Sequence, residues 1–187
     1  MRKNLIILIL TFTLIGCESG DSYLTKAGKI KMTDGFDFPV GNPNAKNYYN
    51  AQKFGVNNHL GDDWNGIGGG NTDLGDPIYS IGNGYVSSAK NINGGWGNVI
   101  RIVHYIEKEN QVESLYAHCD DIFVEKGDYV EKGQKIGTIG NNDGKYLAHL
   151  HLELRNEIGK PIGGGYSSIT KGYLDPTKFI KNNRTRK

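Results

Sequence analysis

A chain of 187 residues, 37% hydrophobic and 22% charged, has the make-up of one ordinary globular domain with room for a short export segment. Its formal charge of +2 vanishes when Arg2 and Lys3 are set aside with such a segment, leaving 20 basic residues against 20 acidic ones. A neutral domain with no basic stripe gives no electrostatic case for nucleic acid as a partner.

The chain opens with a positive pair, Arg2 and Lys3, followed by an apolar run at residues 5–15. That run is too short to span a bilayer core, which needs about 20 residues, and it suits the h-region of a signal peptide. It ends in Leu14-Ile15-Gly16-Cys17, which resembles a bacterial lipobox. The resemblance implies cleavage before Cys17 and a lipid on its thiol, which would anchor an exported protein to a membrane without a transmembrane helix. Residues 1–16 are therefore expected to be leader. Cys119 is then the one remaining cysteine, so no intramolecular disulfide is expected.

Residues 17–35 are polar without apolar period and read as a flexible tether. The folded domain is expected at 36–180, with a polar, basic tail at 181–187. Short helical pieces are expected near residues 47–54. The glycine cluster at 66–70 reads as a mobile loop. From Pro77 onward the signals are strand and turn. The 27 glycines and 11 tyrosines suit many tight turns and half-buried pleated surfaces. Runs at 99–106 and 112–118 read as a hairpin, and short strands are expected at 122–124, 129–130 and 135–139. An all-β or mainly β domain of antiparallel sheets follows.

Three segments carry candidate chemistry. In His149-Leu150-His151-Leu152-Glu153-Leu154-Arg155 a strand sends the two histidines, Glu153 and Arg155 to one face and three leucines to the other. In His59-Leu60-Gly61-Asp62-Asp63 the alternation of an extended chain projects His59 and Asp63 together, with a side-chain-free glycine between them. Tyr116-Ala117-His118 closes a predicted strand. Each segment alone has a bland reading as an exposed or hydrogen-bonded histidine. Together they hold four of the five histidines, and catalytic zinc takes three nitrogen or oxygen ligands with one position left open.

The order His-x-Gly-x-Asp, Tyr-Ala-His, His-Leu-His resembles the lysostaphin/LytM-type zinc metallopeptidases, the peptidoglycan endopeptidase family twenty-three. Gly75-Asp76-Pro77-Ile78-Tyr79-Ser80, Gly133-Gln134-Lys135-Ile136-Gly137 and Leu174-Asp175-Pro176 look like that family's framework, and the likeness runs from about residue 36 to 180. It implies a barrel-sandwich-hybrid-like (duplicated-hybrid-motif) domain with one zinc held by His59, Asp63 and His151. It implies that His118 and His149 act on the water and the oxyanion, without saying which is the base. The substrate it implies is the stem or crossbridge peptide of peptidoglycan. Two departures stand near the site: Gly140-Asn141-Asn142-Asp143-Gly144-Lys145-Tyr146-Leu147-Ala148 replaces the family's Ser/Thr- and Pro-bearing run, and Trp64 replaces an aliphatic residue.

Outside these motifs, His104 and Cys119 read as structural. Trp64, Trp96 and the glycines at 66–70 are candidates to wall a groove. Glu153 and Arg155 read either as support for the site or as exposed charges.

Overall fold

The computed structural model describes residues 31–107 and 110–184. Cys17, the expected leader and most of the expected tether lie outside these residues. Among the described residues ten strands and one α-helix follow in order: β1 (Tyr48–Gln52), β2 (Asp62–Gly66), β3 (Pro77–Tyr79), β4 (Gly84–Asn91), β5 (Asn98–Glu107), β6 (Asn110–Ile122), β7 (Tyr129–Val130), β8 (Lys135–Ile139), β9 (Leu150–Arg155), β10 (Tyr173–Leu174) and α1 (Pro176–Asn182). Every strand pairing is antiparallel. The main sheet runs β1-β2-β9-β6-β5-β4-β7 and stays open, with β10 beside β9 and the β3–β8 pair attached through β6. The mainly β, antiparallel expectation holds.

Alternation decides what each strand covers. Leu150, Leu152 and Leu154 of β9 join Ile100, Ile102 and Tyr116 in the main core, where each fully buried aliphatic side chain contributes about 1.5–3 kcal/mol. The opposite face of the central strands is covered too. There Leu115, Ala117 and Val99 pack with Trp96 and Ile162. β9 is thus buried on both faces, and Glu153 and Arg155 have no exposure at all.

Two local expectations need correction, and packed residues also extend beyond both expected domain edges. Residues 48–52 form an edge strand, not helix, because pairing with β2 outweighs local preference. Ile122 ends β6 rather than opening a strand of its own. Helix α1, too short to show a period, is set by Asp175, whose carboxylate caps Lys178 N, and by Pro176 in its first turn. It runs past the expected boundary at 180, and beyond it Asn183 O accepts from Phe36 N while Arg184 pairs with Asp37 at 2.8 Å. Packing also starts before residue 36: Thr33 is buried and its N–H donates to Tyr105 O.

Candidate metal centre and cleft

Strands β2 and β9 lie side by side with Asp63 opposite His151 and Asp62 opposite Leu152. The two adjacent carboxylates therefore face opposite ways. Asp62 turns to α1 and accepts from Phe54 N, Thr177 N and Thr177 Oγ1. Asp63 turns to His151, with Oδ1 2.8 Å from Nδ1. His59, just before β2, bridges Tyr166 and brings its Nε2 to 3.0 Å from His151 Nδ1 and 3.3 Å from Asp63 Oδ1.

Three donor atoms converge on one point. A tetrahedral ion with bonds of about 2.0–2.1 Å sets its ligands about 3.3 Å apart, so these separations fit one with little adjustment. Among the described residues, this trio is the group suited to hold a metal. The glycine between His59 and Asp63 serves packing: a Cβ on Gly61 would sit 2.4 Å from Leu152 O and 2.9 Å from the His151 ring. The neighbouring strand takes the space that the missing side chain leaves.

Burial would raise the Asp63 carboxyl, but hydrogen bonds with His151 and His59 outweigh it and hold it well below the usual carboxylate range. Burial would likewise lower His151, yet Asp63 and Glu153 on its two nitrogens lift it to about 9. Glu153 Oε1 lies 3.3 Å from His151 Nε2. A carboxylate there favours the tautomer with its proton on Nε2, leaving Nδ1 as a metal donor.

His118 and His149 stand beside this trio. Their ring centroids are 4.7 Å apart, and His118 lies 5.9 Å from His151. His118 sits on a bulge where β6 leaves β9 and takes up β8, at φ +59. Bulges re-aim side chains near sites, and the left-handed backbone turns this imidazole into the cleft. Burial, and then His149 and His151 nearby, push it down to about 3. Its Nδ1 is buried without a partner. His149 Nδ1 donates to Leu147 O at 2.8 Å, which leaves the Nε2 lone pair of the neutral ring available.

All five site residues line one cleft of about 490 Å³, together with Trp96, Tyr146, Tyr166, Gln52 and three glycines. The sequence reading missed Tyr146, Tyr166 and Gln52. Tyr166 lies 5.1 Å from the His59 ring, Trp96 5.4 Å from His151 and Tyr146 5.0 Å from His118. The signal for Tyr146 was present in the divergent run 140–148. Trp64 is no wall: it is buried against Phe38 in the core. Gly66 and Gly68 line a separate depression beside Tyr48 and Asp73. His104 and Cys119 are buried away from the cleft, and burial pushes the Cys119 thiol up to about 12.

The sequence pattern of peptidase family M23 matches residues 63–163, more than half of the chain. The chain belongs to peptidase family M23. Lipoprotein NlpD of Yersinia enterocolitica is 40% identical over 81 residues, 43% of this chain and 78% of that one. Peptidoglycan DD-endopeptidase ShyA of Vibrio cholerae is 33% identical over 105 residues, 56% of this chain but 23% of that protein. Murein hydrolase activator NlpD of Salmonella dublin is 37% identical over 81 residues, 43% of this chain and 20% of that one. The chain thus spans under a quarter of two of these relatives. Among solved structures, lysostaphin from Staphylococcus simulans superposes with a TM-score of 0.58 at 24% identity, over 80% of this chain and 54% of that one. That likeness concerns the M23 fold. M23 relatives of this chain thus include both a named endopeptidase and a named activator.

Proposed function

We propose that this chain is an exported zinc endopeptidase that hydrolyses peptide crosslinks of bacterial peptidoglycan. One zinc per chain would be held by His59, Asp63 and His151. The observation that carries the reading is the convergence of those three donors in a cleft that also holds two further imidazoles. A zinc ion in such a set supplies a Lewis acid and a water acidified to near neutral pH.

The chain's own residues supply the rest. His149, oriented by Leu147 O, takes the water's proton at Nε2 and passes it to the leaving amine. His118, kept neutral by burial, donates its N–H to the developing oxyanion. Tyr166, Trp96 and Tyr146 flank the histidines and exclude water from an extended peptide. Among the described residues no Lys or Arg lines the cleft, so a free terminal carboxylate meets no cationic side chain from them. That favours cleavage within a crosslink over trimming of chain ends. Cys17 would carry the lipid anchor at the end of a tether, in keeping with the lipoprotein name of the Yersinia relative.

The activator name of the Salmonella relative favours a second reading, in which the domain binds wall or activates a partner hydrolase without cutting. Digestion of purified peptidoglycan with the mature, zinc-loaded chain separates the two. Crosslinked dimers falling to monomers with wild type and not with His151→Ala supports the endopeptidase. An intact wall despite bound zinc supports the activator.

A further inference from the structure

The loop that walls the cleft beside Tyr166 is gripped at its start by Arg101 and Glu113, which bond Lys160 O and Gly159 N, and from there to Ile162 by one fully buried side chain. Arg155 is fully buried. Its Nε and Nη2 both donate to Glu153 Oε2. On the other side Nη1 donates to Lys160 O and Nη2 to Ile162 O, each at 3.0 Å, with Pro161 O at 3.5 Å from Nη1. These carbonyls directly precede Gly163, whose oxygen accepts the Trp96 indole N–H, and the cleft-lining Gly164, Gly165 and Tyr166. The second oxygen of Glu153 faces His151 Nε2. One continuous chain of polar contacts therefore runs from the cleft wall through Arg155 and Glu153 to His151.

Burying a guanidinium is costly unless its charge is paired and its donors are used. Glu153 meets the first need. The backbone of 160–162 meets the second, because a planar fork can bond a carboxylate on one side and several carbonyls on the other. A residue needed only to neutralise Glu153 has no use for that loop. We propose that Arg155 is a positioning residue that sets the cleft wall and the tautomer of His151 together, so the surface that receives substrate and the imidazole that faces the metal are linked through one group. The His151 half rests on the proposed metal centre, and the loop half stands without it.

The test uses the mature full-length chain as wild type, Arg155→Met and Arg155→Lys. Hydrogen exchange by mass spectrometry follows peptides spanning 158–166 and, as a reference, β5 and β6. Chelator competition follows zinc affinity. In Arg155→Met, exchange over 158–166 should rise at least about tenfold while β5 and β6 keep their protection. Zinc affinity should fall about 10–100-fold. Arg155→Lys keeps a cation beside Glu153, so zinc affinity should return to within about threefold of wild type. Its loop exchange should stay fast, since an ammonium cannot span the carbonyls. Unchanged loop exchange in Arg155→Met overturns the proposal, as does an equal rise in β5 and β6, the mark of a core residue only. Unchanged zinc affinity overturns the link to His151. If wild type takes up no zinc, that half falls with the proposed function, and loop exchange judges the other half alone.

Discussion

Asp63 and His151 stand directly opposite one another on β2 and β9, and their side chains meet with Oδ1 2.8 Å from Nδ1. Strand register therefore sets two of the three candidate ligands, and a slip of either strand by one residue would send its ligand to the core face. Two imidazole nitrogens and a carboxylate oxygen aimed at one point lack a shared proton pattern that satisfies all three. A cation relieves that conflict.

Metal should thus stabilise the native chain. At zinc a hundredfold above its dissociation constant, the gain is about 2.7 kcal/mol. Wild type should melt several degrees higher with zinc than with chelator, and Asp63→Ala should melt at the same temperature in both. A wild-type curve indifferent to zinc would sink the metal assignment.

Glu153→Gln should act through His151 without unfolding the chain. The amide can still accept from Arg155 with its oxygen, but its NH₂ then faces His151 Nε2. The imidazole would answer by moving its proton to Nδ1, away from the tautomer a metal needs. Zinc affinity should drop about 10–100-fold, with the shift of tautomer visible in the ring ¹⁵N signals. A variant that binds zinc as wild type does, or keeps its proton on Nε2, contradicts this account.

Much of this site was legible as spacing. Alternation along 149–155 places His151 on the face with Glu153 and Arg155, and alternation along 59–63 distinguishes Asp63 from Asp62. The strands from β3 to β9 were legible because turns and β-branched runs punctuate them. What stayed hidden depends on contacts distant in sequence. Tyr166 reaches His59 only because the loop after β9 folds back over the sheet, and Glu153 is buried rather than exposed because that loop covers it. Edge strand β1 reads locally as helix and becomes strand by pairing. The bulge at His118 has only a faint local signature, since histidine is enriched at positive φ but adopts it in a small minority of cases.

That bulge predicts an inverted order of stability at residue 118. A residue with a Cβ at φ +59 bears a strain that glycine does not, about 1 kcal/mol. His118→Gly should therefore be more stable than His118→Ala by about 1 kcal/mol in denaturant titration, the reverse of the usual order within a strand. Both should lack the proposed peptidase activity. If alanine proves the more stable, the left-handed turn does not constrain the site.

His104, outside the candidate metal centre, sets an acid limit of its own. Its Nδ1 donates to Asn83 O at 3.0 Å and its Nε2 lies 2.8 Å from the Ser114 hydroxyl, itself 3.1 Å from that of Tyr116. Burial lowers the group from 6.5 to about 4. Between those values the unfolded chain binds a proton that the native chain refuses, so stability rises with pH and is lost on acidification. The loss should total about 3 kcal/mol, about 1.4 kcal/mol per pH unit, and level off below about pH 4. Denaturant titrations of wild type and His104→Gln at pH 4 to 7, both with chelator, isolate it. The wild-type advantage should shrink steadily below pH 6.5, and parallel curves would show that this imidazole carries its proton in both states.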